Sequence, residues 1–336
     1  MKKKIKLLLV TLVFTISNNA MSQTVKPIIC KTGVYIKTIK INQVDENFDV
    51  QFYWWTRVDS IDINKDYSFI KEIEVINADV NSFDIVETKI DSINKSYFVT
   101  GYAKVTIPYK SAYRNFPFDK QQLSISFENK NNNITSIIYI PDNKTPSINK
   151  LNDNNIDILN GDQYKVDKLG VSNFEHSYNS NFGDPEIHNY ETYSRISFDI
   201  FIERNPFGIL AKISLPLFVV LFLAYLVFFI PDYEIGTASA LTVTALLAGI
   251  AFEWTIKDSL PKASYLTLID KLFYLVYFFI FYAMVQTIIT FNLSKGSEKN
   301  KLLSSNIEEK SKYIFPILFI IMCSLLFMNV KHLACK

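Results

Sequence analysis

Four long apolar stretches in the C-terminal part of this chain limit what it can fold into more than any other feature. They run from about Phe207 to Ile230 ("FGILAKISLPLFVVLFLAYLVFFI"), Gly236 to Ile256, Tyr265 to Phe291 and Tyr313 to Val330. Each is long enough to cross the hydrocarbon of a bilayer as a helix. Residues 24 to 205, by contrast, are rich in Asn, Asp, Lys and Ser, so the two halves are built for different solvents. The link at 292–312 carries Lys295, Lys299, Lys301, Lys310 and Lys312, which places it in the cytoplasm. The polar half and the C-terminus then lie outside. Lys and Arg number 35 against 33 Asp and Glu, a net charge of +2, so the polycationic footprint of a nucleic-acid binder is missing.

Residues 1–22 read as a secretory signal peptide: Lys2 to Lys4, a short apolar run from Ile5 to about Ile16, then small residues before a cleavage point near Ala20 to Ser22. An uncleaved anchor is the alternative, and either one exports the polar half. Cys30, Cys323 and Cys335 form no disulfide framework, and His176, His188 and His332 sit in no metal-binding or catalytic spacing. The sequence therefore offers no catalytic residues, metal site or cofactor.

The second apolar stretch, "GTASALTVTALLAGIAFEWTI", differs from the others. It is mostly Gly, Ala, Ser and Thr, whereas the third, "LFYLVYFFIFYAMVQTIITF", is crowded with aromatics suited to lipid contact. Small and hydroxyl side chains suit close packing or a wet surface. Ala240, Thr244, Leu247, Ala251 and Trp254 recur at intervals of three and four and share one helix face. That stripe either lines an axial pore, with Leu247 closing it by dewetting, or forms a packing seam within a bundle.

Upstream, short alternating runs recur: "GVYIKTIKI", "NFDVQFYWW", "IKEIEVIN", "SYFVTGYAKVTI", "QLSISF", "SIIYI" and "SRISFDIFI". Strands at this spacing predict an antiparallel, immunoglobulin-like all-β sandwich over 23–205, with Asn-rich loops. An all-α four-helix transmembrane bundle occupies 206–330. The last strand reaches the first helix at Pro206 with no Gly/Ser linker, so the joint is stiff.

Several segments then fall in the order of a known family. "FPFDKQ" at Phe116 to Gln121 resembles an aromatic-Pro-aromatic-Asp loop, "RNP" at Arg204 to Pro206 a junction before the first membrane helix, "VTALLAGIAF" at Val243 to Phe252 a pore helix, and "LPKASY" at Leu260 to Tyr265 the linker after it. Pro216 and the strands in "TGVYIKTIKINQVDENFDVQFYWWTRVD" agree. The chain resembles a bacterial pentameric ligand-gated ion channel of the Cys-loop receptor superfamily. It lacks the loop disulfide, whose positions read Tyr109 and Leu123 here.

The resemblance implies a homopentamer in which four identical subunits surround each chain, passing monovalent ions across a bacterial inner membrane in contact with lipid. It implies that Phe116, Pro117, Phe118 and Asp119 press on the membrane domain, that Asp119 pairs with Arg204, and that Pro261 and Lys262 receive the push. Glu234 is the selectivity candidate, although it stands two residues farther from the pore helix than the family pattern expects. Either a short insertion precedes the helix, or the register slips and Ala245 takes the gate position. Ligand candidates are Trp55, Arg57, Phe69, Tyr178, Tyr190 and Tyr193, which would cage an amine. Such strand aromatics also serve as core, and proton gating is the other option. The competing functions are an anchored extracellular sensor, which leaves the small-residue helix unexplained, and an intramembrane enzyme, which calls for mid-helix ionisable residues.

Overall fold

A computed structural model describes residues 26–62, 64–144, 146–150, 163–180, 183, 191–257, 260 and 263–334, with side chains to residue 328. The expected signal peptide, Tyr190, Pro261, Lys262, His188 and Cys335 lie outside the described residues.

Among the described residues nine strands form the N-terminal domain: β1 (Ile28–Asn42), β2 (Asn47–Asp59), β3 (Ile73–Val75), β4 (Asp79–Asp91), β5 (Ser96–Pro108), β6 (Lys120–Asn129), β7 (Ile137–Pro141), β8 (Tyr164–Ser177) and β9 (Thr192–Arg204). They make two sheets, β4-β5-β2-β1-β7 and β3-β6-β9-β8. The inward residues of β2, β5, β6 and β9 alternate with outward ones, as a half-buried strand requires. Phe52 of one sheet meets Phe127 of the other edge-on at 5.8 Å, and Phe127 meets Phe198 at 5.9 Å, so one core spans both sheets. Gly101 of β5 lies against the buried Trp54 ring, where any Cβ would collide with the indole.

Two expectations need correction. The sandwich is not wholly antiparallel, because β7 pairs parallel to β1, Ile28 opposite Ile137. The short connection at 130–136 carries the chain from β6 of one sheet to the edge of the other, so β7 is not held to the antiparallel direction of a hairpin partner. Strands β4 and β8 were also absent from the alternating runs. Both are sheet edges with largely exposed, polar residues, so neither carries the period-two signal.

Helices α1 (Phe207–Leu226), α2 (Ile235–Ile256), α3 (Leu268–Ser294) and α4 (Glu298–Ala334) build the second domain. Helix α3 begins at Thr267, whose hydroxyl accepts from Asp270 N while the Asp270 carboxylate accepts from Thr267 N, a reciprocal cap. Helix α4 starts well before Tyr313, so most of the expected link 292–312 is helix. Its Leu, Glu and Lys residues are good helix formers, but the segment is too polar to register as an apolar span. The aromatics of α3 divide: Tyr274, Phe278 and Phe281 are exposed, while Phe273 and Phe279 are buried in the bundle.

Candidate functional site

The apolar knuckle Tyr113–Phe118 hangs between β5 and β6 at the base of the sandwich. Tyr113 and Phe116 are buried in the same cluster as Ile213, Leu217 and Val220 of α1 and Ile269, Phe273 and Val276 of α3, so the knuckle is part of the helical core. Phe118 reaches α4, its ring 6.1 Å from Phe327. The Tyr113 backbone N–H donates to the Tyr265 hydroxyl at 2.8 Å, and the Arg114 guanidinium lies 5.7 Å from the Tyr265 ring. Tyr265 precedes α3, so it joins the knuckle to the segment between α2 and α3.

Behind the knuckle sits a buried ion pair. Arg204, the last residue of β9, donates Nε–H to Asp119 Oδ1 at 2.6 Å and Nη2–H to Oδ2 at 3.1 Å. Gln121 donates to the same carboxylate at 2.8 Å, and the Arg204 backbone N–H donates to Asp119 O. The guanidinium is stacked between the Phe116 ring at 4.7 Å and the Tyr164 ring at 4.5 Å and also donates to the Tyr164 hydroxyl. Burial works against the Arg204 charge, yet its partners, Asp119 foremost, hold its pKa above the ordinary value. A bidentate, sandwiched arginine at a chain junction couples β6, β9 and the start of α1 as one piece.

The faces of α2 differ sharply. Ala238, Thr242, Ala245 and Gly249 are buried against α1 and α3, forming a small-residue seam; a Cβ at Gly249 would press the Tyr277 ring at 3.0 Å. Ala240, Thr244, Leu247, Ala251 and Trp254 lie on the opposite, exposed face, Leu247 being 61% and Trp254 76% accessible. The expected stripe is therefore not the seam within the subunit. Ala245, the alternative gate position, is 0% accessible and packs in the seam instead of on that face. Glu234 ends an exposed turn of 3-10 helix, Asp232–Glu234, ahead of α2.

The described ligand candidates, Trp55, Arg57, Phe69, Tyr178 and Tyr193, do not converge within one chain. Trp55 and Arg57 share the outward face of β2, where both donate to Asp142, at 3.0 and 2.8 Å. Tyr178 and Tyr193 belong to the other sheet, rings 5.7 Å apart. Tyr178 donates to Glu128 at 3.0 Å and accepts from Arg195, which is itself ion-paired with Glu128 at 2.8 Å. Burial raises the Tyr178 pKa, and the hydrogen bond to Glu128 adds to it. Phe69 instead packs on the sandwich core beside Tyr67.

Sequence reading missed a contact and a residue. The contact between Tyr113 and Tyr265 gave no signal, because a backbone-to-hydroxyl hydrogen bond across 152 residues has no local pattern. Glu253 did have one: it is an ionisable residue inside an apolar span, accepting a hydrogen bond from Tyr277 of α3 at 2.6 Å.

Residues 213–326 match the neurotransmitter-gated ion-channel transmembrane region. Along 313 residues, 88% of this chain and 81% of the relative, the sequence is 23% identical to a proton-gated ion channel of Gloeobacter violaceus. The chain is a ligand-gated ion-channel subunit. A second relative, the acetylcholine receptor subunit epsilon of Xenopus laevis, is 27% identical over 125 residues, 37% of this chain and a quarter of that subunit. The family is one of ion channels rather than enzymes, and its members act as assemblies of subunits through which ions pass. With four helices among the described residues long and apolar enough to cross a bilayer, the channel subunit is an integral membrane protein.

Proposed function

We propose that five copies of this subunit form a cation-permeable channel whose α2 helices surround the pore. The observation that carries this reading is the division of α2: the seam of Ala238, Thr242, Ala245 and Gly249 is used inside the subunit, while the Thr244/Leu247 face is left free. Leu247 would form the hydrophobic gate, excluding water until the helices tilt apart, and Thr244 a polar ring below it. Glu234 would supply the acidic ring that favours monovalent cations. The sandwich and the C-terminus would lie outside a bacterial inner membrane, with the exposed aromatics of α3 against lipid.

Opening would start in the sandwich and pass through the Phe116–Asp119 knuckle and Arg204 to the segment around Tyr265, including Pro261 and Lys262. The agonist would be a proton, as the name of the Gloeobacter relative suggests, or a small amine. An amine would sit between subunits, with Tyr178, Tyr190 and Tyr193 of one copy facing Trp55 and Arg57 of the next. The location of the two groups on different sheets supports a shared site of this kind.

The test is ion flux through purified protein in planar bilayers while pH and amines are varied. Leu247→Ser should open the channel at lower stimulus. Gating identical to that of the unmodified protein would remove Leu247 from the role. Glu234→Gln should shift the reversal potential in a salt gradient away from the cation value; no shift would remove the acidic ring.

A further inference from the structure

At the foot of α2, where Asp232 begins the turn that leads into the helix, the segment after α1, the foot of α2, α3 and α4 enclose a narrow cavity with mixed polar and apolar walls. Its walls include Asp232, Gln286, Thr287 and Thr290 of α3, and Glu308 of α4. Asp232 and Glu308 share the walls of this one small cavity, which brings two acidic groups together away from bulk water. Two ionised carboxylates confined together repel one another, and one proton held between them removes that repulsion while supplying the donor that both lack. Ser304 of α4, fully buried, lies 2.6 Å from Asp232 Oδ2 and 2.8 Å from Thr290 O, which pins the turn to α3 and α4.

Gln286 supplies an independent observation. It is 6% accessible, and among the described residues neither its amide oxygen nor its amide nitrogen meets a protein partner. A buried amide left without partners costs several kcal/mol in principle, so such groups normally meet a bound water or ligand. The cavity measures about 10 Å³ to water centres, room for a single water. The other charged group near the pair is Lys312 of α4, whose ammonium lies over the Phe229 ring at 5.0 Å. Helix α3 contributes no titratable group to this wall, only amide and hydroxyl side chains.

We infer that each subunit carries a proton-binding site at the foot of the pore helix, in which Asp232 and Glu308 share one proton and a single trapped water links them to Gln286. The turn bearing Asp232 runs directly into α2. While the proton is held, the foot of α2 is docked on α3 and α4. Losing it places two like charges together, and their repulsion releases the foot. Channel opening should therefore respond to pH on the side that the foot faces, separately from any agonist acting on the sandwich. This gating consequence rests on the pore assignment above, whereas the shared proton does not.

Infrared spectra of the purified full-length protein test the site itself. The unmodified protein should keep a protonated carboxyl band at neutral pH. That band should vanish in both Asp232→Asn and Glu308→Gln and survive in Glu309→Gln, an exposed neighbour. Glu308→Gln keeps shape and hydrogen-bonding capacity, so it guards against loss of fold. A spectrum in which neither variant removes any carboxyl intensity overturns the inference, whether or not the protein conducts. In bilayers, current that responds to pH on the foot side, with the response lost in Glu308→Gln, supports the gating consequence. Current indifferent to pH on that side overturns it while leaving the channel reading intact.

Discussion

Arg204 shows how much one side chain holds at the junction. Arg204→Ala would leave the Asp119 carboxylate buried without its partner, a loss of about 3–5 kcal/mol for a pair of this kind. It would also remove the plate between the Phe116 and Tyr164 rings. Thermal unfolding of the solubilised protein should show a strong decrease for Arg204→Ala, a smaller one for Asp119→Asn, and a double variant far less damaged than the sum; additive losses would show that the two do not act as a pair. Asp59 gives a pH prediction. The Lys31 hydrogen bond, with Arg57 and Lys144 nearby, lowers its pKa in the folded state. Its contribution to stability is thus complete above the ordinary carboxylate value, about 3.9, and disappears as pH falls through the lower folded value. Urea unfolding midpoints should drop on acidification below about pH 4, and less so in Asp59→Asn. An unchanged drop would assign the acid sensitivity elsewhere, with Glu203, paired to Lys165 and Lys120, the next group to examine.

At the scale of elements, the two faces of α2 make opposite predictions. Ala245→Leu forces bulk into a filled seam, which costs about 1–3 kcal/mol and should reduce the yield of folded protein. Leu247→Ala removes a side chain exposed in the subunit and should leave that yield unchanged, measured by size-exclusion chromatography in detergent. Equal losses would mean that the stripe is structural. These elements also show what the sequence could reveal. Apolar runs of spanning length and strands such as β2, β5 and β9 were legible because a buried face imposes a period. Edge strands β4 and β8 bury little and impose none, and the polar first turns of α4 hide a helix inside a lysine-rich link. At the joint, "FPFD", Arg204 and the linker ending at Tyr265 could be picked out by resemblance, but the contact between Tyr113 and Tyr265 could not. The Asp232–Glu308 juxtaposition was equally hidden, since its residues come from separate elements and neither stands in a motif.

At the scale of the whole molecule, a single subunit exposes Leu247 and Trp254 on a helix that needs shielding from lipid, so the subunit is incomplete alone. Native mass spectrometry from mild detergent should give five times the subunit mass, and a monomer would leave the α2 face without its partners. The most direct test of the central claim, that this face encloses water around the axis, is modification of Leu247→Cys in a cysteine-free background during bilayer recording. A charged, membrane-impermeant thiol reagent should reach the residue when the channel is open and irreversibly change the current. Current that persists unaltered, with the thiol unmodified by mass, would place that face away from the ion path and contradict the account.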